Sequence, residues 1–299
     1  MNTRGEHGSV PEFQSLVLAR GGNGWAAQVE RAVGYLAGTW ELTIGRTLHG
    51  GTSSYVTEVT TGAGQPAVLK ICVPDVDVAA QARTLAGADG RGFVRLLAAD
   101  ITRRALLLEP LGATLSQSAL SPVEQLRVLA QLLPLAWQVT HSGGVAQDKA
   151  AQLIDLITAL DDGRHPDVVD VALRCAERRS AAFDPDQSVL VHGDAAAANV
   201  LQRSMDEWVF VDPDGFVGDP AYDRGVAVRD WCDELLSAPD ARALMRRYCE
   251  VLGADPGVTW EWAFVERVST GLYVQSLGGD GTPHLTSAAT LLDDPVAQR

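Results

Sequence analysis

The sequence contains no apolar run approaching the ~18–20 residues that a membrane-spanning helix requires. It has four cysteines in 299 residues, Cys72, Cys175, Cys232 and Cys249, none at CxxC spacing. The first absence leads us to expect no membrane partner. The second argues against a zinc site or a disulfide framework and fits a reducing cytoplasm. The histidines form no HExxH pair, so no transition-metal site built from protein alone is expected. Positive charge is also scarce: 24 Lys and Arg against 38 Asp and Glu leave a net charge of −14 and a pI near 4.8. Such a field repels nucleic acid and anionic membrane and draws cations toward any cleft lined by carboxylates, although acidity also serves solubility. Internal repeats and low-complexity linkers are absent. Residues 1–11 lack the basic and apolar regions of a secretion signal and read as a polar lead-in. What remains is an ordinary globular composition, 46% hydrophobic and 21% charged with a mean hydropathy of +0.02.

The apolar pattern changes period along the chain. Trp40 to Ile44, Tyr55 to Thr60, Ala67 to Ile71, Val94 to Leu97 and Ala105 to Leu108 read as short strands divided by Gly-rich turns. One helix, over 78–87, interrupts them. After Gly112 the pattern is helical. Ser121-Pro-Val-Glu124 is a capping box with proline at the first helical position, and opens a helix expected to reach about His141. Further helices are expected at 148–160, 167–182, 220–236, 239–252 and 258–274. A strand-rich insert at 188–191, 199–201 and 208–211 lies among them. The expectation is an α+β bilobal protein with a β-rich lobe over 1–111, of which 1–35 is a partly irregular lead-in, and a mainly helical lobe over 112–299. A ligand cleft is expected at the joint.

The stretch Val191-His-Gly-Asp-Ala-Ala-Ala-Ala-Asn199 ends a strand at His192-Gly193, places Asp194 in a loop and returns an asparagine five positions later. Thirteen residues on, a buried strand ends at Asp212. Phosphoryl transfer needs this set: a carboxylate to orient the attacking hydroxyl and accept its proton, and an amide and second carboxylate to hold magnesium against a triphosphate.

Together with Gly218-Asp-Pro-Ala-Tyr-Asp223 downstream and Lys70 on a strand upstream, these motifs resemble the aminoglycoside phosphotransferase family. The wording is closest to its streptomycin 6-phosphotransferase and hydroxyurea phosphotransferase branch. The resemblance runs from about Trp40 to Tyr273 and implies a protein-kinase-like fold. It implies ATP or GTP with Mg2+ as cofactors and a small-molecule acceptor. Residue by residue it implies Asp194 as catalytic base, Asn199 and Asp212 as magnesium ligands, and Lys70 as the contact to the α/β-phosphates. Gly51, Thr52, Ser53 and Ser54 would form the loop over the phosphates, without the GK[ST] ending of a Walker A motif. Glu109 to Leu111 would be the hinge that pairs with the nucleobase. His192 is read as bracing the loop, Asp219 as an N-cap ahead of Pro220, and Asp223 as support one turn later.

The pattern departs from the family in two places, one of them the featureless loop Ala195 to Ala198, where relatives often carry His, Gly or Asp. Eleven residues after Lys70, where a glutamate is usual, stands Gln81. Either Asp75 or Asp77 supplies the missing charge, or the lysine is held less firmly. Asp214 adds a carboxylate facing metal or substrate, or serves as a turn residue before Gly215. The expected acceptor is a polycationic antibiotic such as streptomycin, received by carboxylates drawn from Asp214, Asp230, Asp233, Glu234, Glu261 and Glu266. The same chemistry on a cellular metabolite, and a catalytically impaired binding protein, are the alternatives. The sequence carries no signal for oligomeric state.

Overall fold

The computed structural model describes residues 20–22, 24–48, 53–140, 144–253 and 255–299. By internal contacts the chain divides into two compact units, one of 1–78 with 97–110 and one of 79–96 with 111–299.

In the first unit, strands β1 (Thr43–Leu48), β2 (Ser54–Thr60), β3 (Pro66–Cys72), β4 (Leu96–Asp100) and β5 (Ala105–Leu108) form a five-stranded sheet in the order β1-β2-β3-β5-β4. Pairing is antiparallel from β1 through β3 to β5, and Lys70 lies opposite Val56 on one side and Leu106 on the other. The expected irregular lead-in gives way to helix α1 (Trp25–Thr39). Its buried residues Trp25, Val29, Ala32 and Leu36 recur at steps of four, three and four, one stripe of a helix, and pack with Tyr55, Val59, Leu69, Ile71 and Leu107 of the sheet. The helix also displaces the strand expected from Trp40. Glu41 is left-handed (φ 52°) and the Leu42 N–H reaches back to the Ala37 carbonyl at 2.8 Å, a Schellman-type stop that uses up 40–42 before β1 begins.

The second unit opens with α2 (Val78–Ala88) and continues with α3 (Pro122–Ala136), α4 (Lys149–Leu160) and α5 (Pro166–Ala181). Short strands β6 (Val189–Val191), β7 (Val200–Ser204), β8 (Glu207–Phe210) and β9 (Phe216–Gly218) follow. Helices α6 (Pro220–Arg229), α7 (Cys232–Ser237), α8 (Ala241–Val251), α9 (Pro256–Ser276) and α10 (Thr282–Ala289) complete it. The strands pair as two ribbons, β6 with β9 and β7 with β8. The strand expected over 94–97 is split. Val94 donates to the Phe210 carbonyl at the end of β8, whereas β4 starts at Leu96 in the other unit's sheet.

Helix α9 is the axis of this unit, buried on nearly every face by Trp260, Trp262, Phe264, Val265, Val268 and Leu272. Gly225 of α6 permits the close crossing, because a Cβ there would lie 2.3 Å from the Trp262 Cβ. The helix expected over 220–236 breaks after Arg229. Arg267 donates to the Val228 carbonyl at 2.8 Å and Trp231 to the Ala227 carbonyl at 3.0 Å, so side chains take carbonyls that another helical turn would need. The capping box is present, with the Ser121 N–H donating to Glu124 Oε2 at 2.8 Å, but α3 ends at Ala136.

Replacing Leu36, fully buried under α1, should show how far this helix supports the sheet. Leu36→Ala is expected to cost about 2–5 kcal/mol. Gln28→Ala on the exposed face of α1 should cost within ~0.5 kcal/mol, both read from denaturant midpoints.

Candidate active site

The loop from β6 to β7 carries His192, Asp194 and Asn199; the loop from β8 to β9 carries Asp212 and Asp214. Four hydrogen bonds tie the loops together. His192 Nε2 contacts the Val211 carbonyl at 2.8 Å, the His192 carbonyl accepts from Asp214 N (2.8 Å) and Gly215 N (3.3 Å), and Val211 N donates to the Asn199 carbonyl at 2.9 Å. Because His192 Nδ1 accepts from Asp194 N at 3.1 Å, the imidazole is the Nε2–H tautomer. Its ring is fully buried against Phe93 and Phe210. His192 is therefore held in place by both of its nitrogens.

Gly193, at φ 89°, takes the left-handed turn that delivers Asp194, and a Cβ there would sit 2.6 Å from the Asp214 Cβ. Asn199 Nδ2 donates to both the Asp194 carbonyl (2.8 Å) and Asp194 Oδ2 (2.7 Å). Both partners are acceptors, so the amide oxygen of Asn199 is the end directed away from Asp194. Asp212 is one of four non-glycine residues of positive φ among the described residues (57°), a conformation that aspartate tolerates better than most residues.

Beneath the loop, the fully buried Asp223 accepts from His192 N (2.8 Å), Gly193 N (2.9 Å) and Trp137 Nε1 (2.9 Å). Burial pushes its pKa up, against the pull of His192 and these N–H donors. Asp219 caps α6 through Ala221 N at 2.8 Å and accepts from Trp262 Nε1 at 3.1 Å. The loop after Asp212 abuts α2: a Cβ on Gly215 would meet Thr84 Oγ1 at 2.3 Å. Gln81, buried, lies one turn before Thr84 on that helix.

The acidic residues expected to receive substrate divide by burial. Asp214, Asp230 and Asp233 are exposed and Glu234 is partly so. Dehydration of its carboxyl within the loop, and then the Asp194 charge, raise the pKa of Asp214. Glu261 and Glu266 do not face an open cleft, each being 4% exposed. Glu261 pairs with Arg178 (2.7 Å) and Arg179 (2.6 Å), and Glu266 accepts from Tyr222 Oη at 2.7 Å and pairs with Arg229 at 3.3 Å. Both sit on α9, whose apolar surroundings require that a charge be paired. Trp260 and Trp262, on the same helix, are core residues.

One residue of this cluster escaped the sequence reading. Arg229, the last residue of α6, places Nη2 2.9 Å from Asp194 Oδ1. No spacing rule marks it, since it is brought to the loop by the path of α6.

In the first unit, Lys70 is buried at the centre of the sheet and Ser54 is buried at the start of β2. Ser53 holds the Val73 N–H through its carbonyl at 2.9 Å. Gly51 and Thr52 lie outside the described residues. Asp75, one of two carboxylates considered for Lys70, pairs with Arg20 at 2.9 Å. Glu109 follows β5, and the boundary between the units falls at 110/111, next to Leu111. On the other side of that boundary, Gly112 N donates to the Gln202 carbonyl of β7 at 2.7 Å.

Removing the Asp223 carboxylate would strand three N–H donors, each costing about 1–3 kcal/mol when buried without a partner. Asp223→Ala should therefore lower stability by several kcal/mol and release the amide protons of His192 and Gly193 to fast hydrogen exchange. Asp223→Asn, which keeps one acceptor oxygen, should fall between.

Comparison with known proteins agrees with this reading. A family model described as aminoglycoside/hydroxyurea antibiotic resistance kinase matches residues 39–271. The streptomycin 6-kinase of Streptomyces glaucescens is 29% identical over 299 aligned positions, covering 95% of each chain. The hydroxyurea phosphotransferase of Kitasatospora aureofaciens is 33% identical over 195 positions, 62% of this chain and 56% of the relative. Among solved structures, a choline/ethanolamine kinase family protein from Mesorhizobium loti superimposes with a TM-score of 0.63 at 18% identity, covering 90% of this chain and 96% of the other. A choline kinase from Streptococcus pneumoniae gives 0.61 at 13%, covering 88% and 98%. These likenesses show the expected α+β kinase-like fold. The names of the relatives favour an antibiotic-modifying phosphotransferase over a metabolite kinase or an impaired binding protein. With its sheet unit, its helical unit and a family match over most of its length, the chain belongs to the aminoglycoside/hydroxyurea antibiotic resistance kinase family and is a phosphotransferase with an alcohol group as acceptor.

Proposed function

We propose that the protein transfers the γ-phosphate of ATP or GTP, as its Mg2+ complex, to a hydroxyl of a cationic, aminoglycoside-like antibiotic such as streptomycin. The observation that carries the site assignment is the double donation of Asn199 Nδ2 to Asp194. It orients one residue as a base and leaves the partner's amide oxygen for a cation. Asp194 accepts the proton of the acceptor hydroxyl as the hydroxyl oxygen bonds to the γ-phosphorus. The bond from that phosphorus to the β–γ bridging oxygen breaks, and the nucleoside diphosphate leaves.

The donor set suits magnesium, which prefers hard oxygens and usually takes one or two from protein and the rest from phosphates and water. Asn199 and Asp212 are the residues assigned to hold it, and no described cluster of three or more His, Cys, Asp or Glu could hold a metal by itself. When bound, the ion would neutralise charge on the β- and γ-phosphates. Lys70 is assigned to the α/β-phosphates, Ser53 and Ser54 with Gly51 and Thr52 to the loop above them, and Glu109 to Leu111 to the nucleobase. Residues 1–111 would thus act as the nucleotide lobe and 112–299 as the catalytic lobe. Gln81, buried on the helix whose Thr84 abuts the loop that follows Asp212, is assigned to support of the nucleotide site.

For the acceptor, the similarity to streptomycin 6-kinase over 95% of both lengths is the guide. The exposed carboxylates of Asp214 and Asp233 and the partly exposed Glu234, together with the net charge of −14, favour a polycation, whereas Asp230 is already paired with Arg229.

Two measurements test this. Asp194→Ala should lower kcat by about 10²–10⁴-fold with nucleotide binding nearly unchanged; near-normal turnover would remove Asp194 from the chemistry. Nucleoside-diphosphate release should be measured across streptomycin, other aminoglycosides, cyclic peptide antibiotics and hydroxyurea. It should be fastest with a cationic acceptor, and turnover of neutral or anionic acceptors alone would refute the charge argument.

A further inference from the structure

Arg229 makes a set of contacts that neither the motif nor the family match assigns. Its Nη2 lies 2.9 Å from Asp194 Oδ1, its Nε 2.9 Å from Asp230 Oδ1 and its Nη1 3.3 Å from Glu266 Oε2. Nη2 also reaches Asp230 Oδ2 at 3.5 Å, so the guanidinium meets three carboxylates and grips Asp230 with two nitrogens. Glu266 is itself fixed by the Tyr222 hydroxyl, which donates to its other oxygen at 2.7 Å. Burial, and then the Glu266 charge, push the Tyr222 pKa well up, so that phenol stays a donor. The arginine side chain is 14% exposed, whereas Asp194 is 40% exposed. The cation is therefore anchored inside the protein and presents one arm to a carboxylate that is open to a substrate.

Asp194 is held from both ends. Oδ2 accepts from Asn199 and Oδ1 from Arg229. A carboxylate rotates easily about its terminal bond, and one donor would leave that rotation free. Two donors on opposite oxygens stop it. Each oxygen still has a second lone pair, so the clamp fixes the direction of proton acceptance without filling it. A planar guanidinium spreads its donors over a rigid fork, whereas a lysine gathers its three rotatable donors at one point on a flexible stem.

We propose that Arg229 is a positioning residue for phosphoryl transfer: anchored by Glu266 and Asp230, it locks the orientation of the Asp194 carboxylate toward the acceptor hydroxyl. This rests on Asp194 being the base proposed above. Its effect belongs to kcat, because the contacts of the arginine are to the base and to the two carboxylates that anchor it.

The test compares steady-state kinetics of Arg229→Ala, Arg229→Lys and the double variant Arg229→Gln/Glu266→Gln, with streptomycin as the probe acceptor and ATP as donor. The double variant removes the guanidinium without leaving Glu266 as an unpaired buried charge. Loss of orientation at the reacting group should lower kcat by about 10–100-fold in the alanine and double variants. The acceptor KM and nucleotide affinity should stay near wild type, and lysine should restore part of the loss. Guanidinium added at sub-denaturing concentration should raise the kcat of Arg229→Ala and leave wild type unaffected, a response that a purely structural role would not give. Unchanged kcat in the double variant overturns the proposal, as does an effect confined to KM. Lost activity that guanidinium fails to restore, with nucleotide affinity and melting temperature falling together, overturns it too. If Arg229→Ala is fully active while Asp194→Ala is inactive, only the positioning role fails. If both are active, the base assignment fails with it.

Discussion

A single buried carboxylate carries the second unit's architecture into its chemistry. Asp223 accepts three N–H groups, two from the backbone of the His192-Gly193 turn and one from Trp137, just past the end of α3. Its own helix, α6, is capped by Asp219, which is held in turn by Trp262 of the central helix α9. The position of Asp194 is thereby referred, through two aspartates on one helix, to the most deeply buried element of the unit. Leaving three donors unmet in a buried site would cost more than most single contacts supply, so this arrangement is strongly fixed.

The two loops above it behave as one body. His192 spends both ring nitrogens and its carbonyl on the backbone of the neighbouring loop and its own, so it braces Asp194 and Asp212 together and has no nitrogen free for proton transfer. The left-handed positions fall in the same place: Gly193, Asp212 and Gly215 all have positive φ. The glycines adopt it at little cost, so of the three only Asp212 carries backbone strain, at a proposed site where such strain is commonly found. Around that frame the charges are layered. Glu266 and Asp230 hold Arg229, and Arg229 reaches Asp194.

Much of this was legible in local sequence. Proline after Asp219, the capping box at Ser121, and a strand ending in His-Gly-Asp each encode a backbone conformation within a few residues, and each is found. The strands around Lys70 were legible because alternation of apolar residues has a period of two. Boundaries were harder where tertiary contacts override pattern. The helix expected to 236 stops at Arg229 because Arg267 and Trp231 take its carbonyls, and the C-terminal stop of α1 occupies 40–42, where the strand was expected to begin.

The sequence alone determined the family and with it the class of chemistry; Asp194, Asn199, Asp212 and Lys70, the residues proposed for the site, stand in the order and spacing that carried the resemblance. It also determined the fold class, through the change from period two to period 3.6. Tertiary structure alone decided which acidic residues are available. Asp230 and Glu266 were read as equals, yet one is exposed and the other is buried behind Tyr222 and Arg229. Arg229 is likewise invisible to any spacing rule, since it lies 35 residues from Asp194. Side-chain partners so distant in sequence are chosen by how helices pack, and packing depends on the whole core rather than on neighbours along the chain.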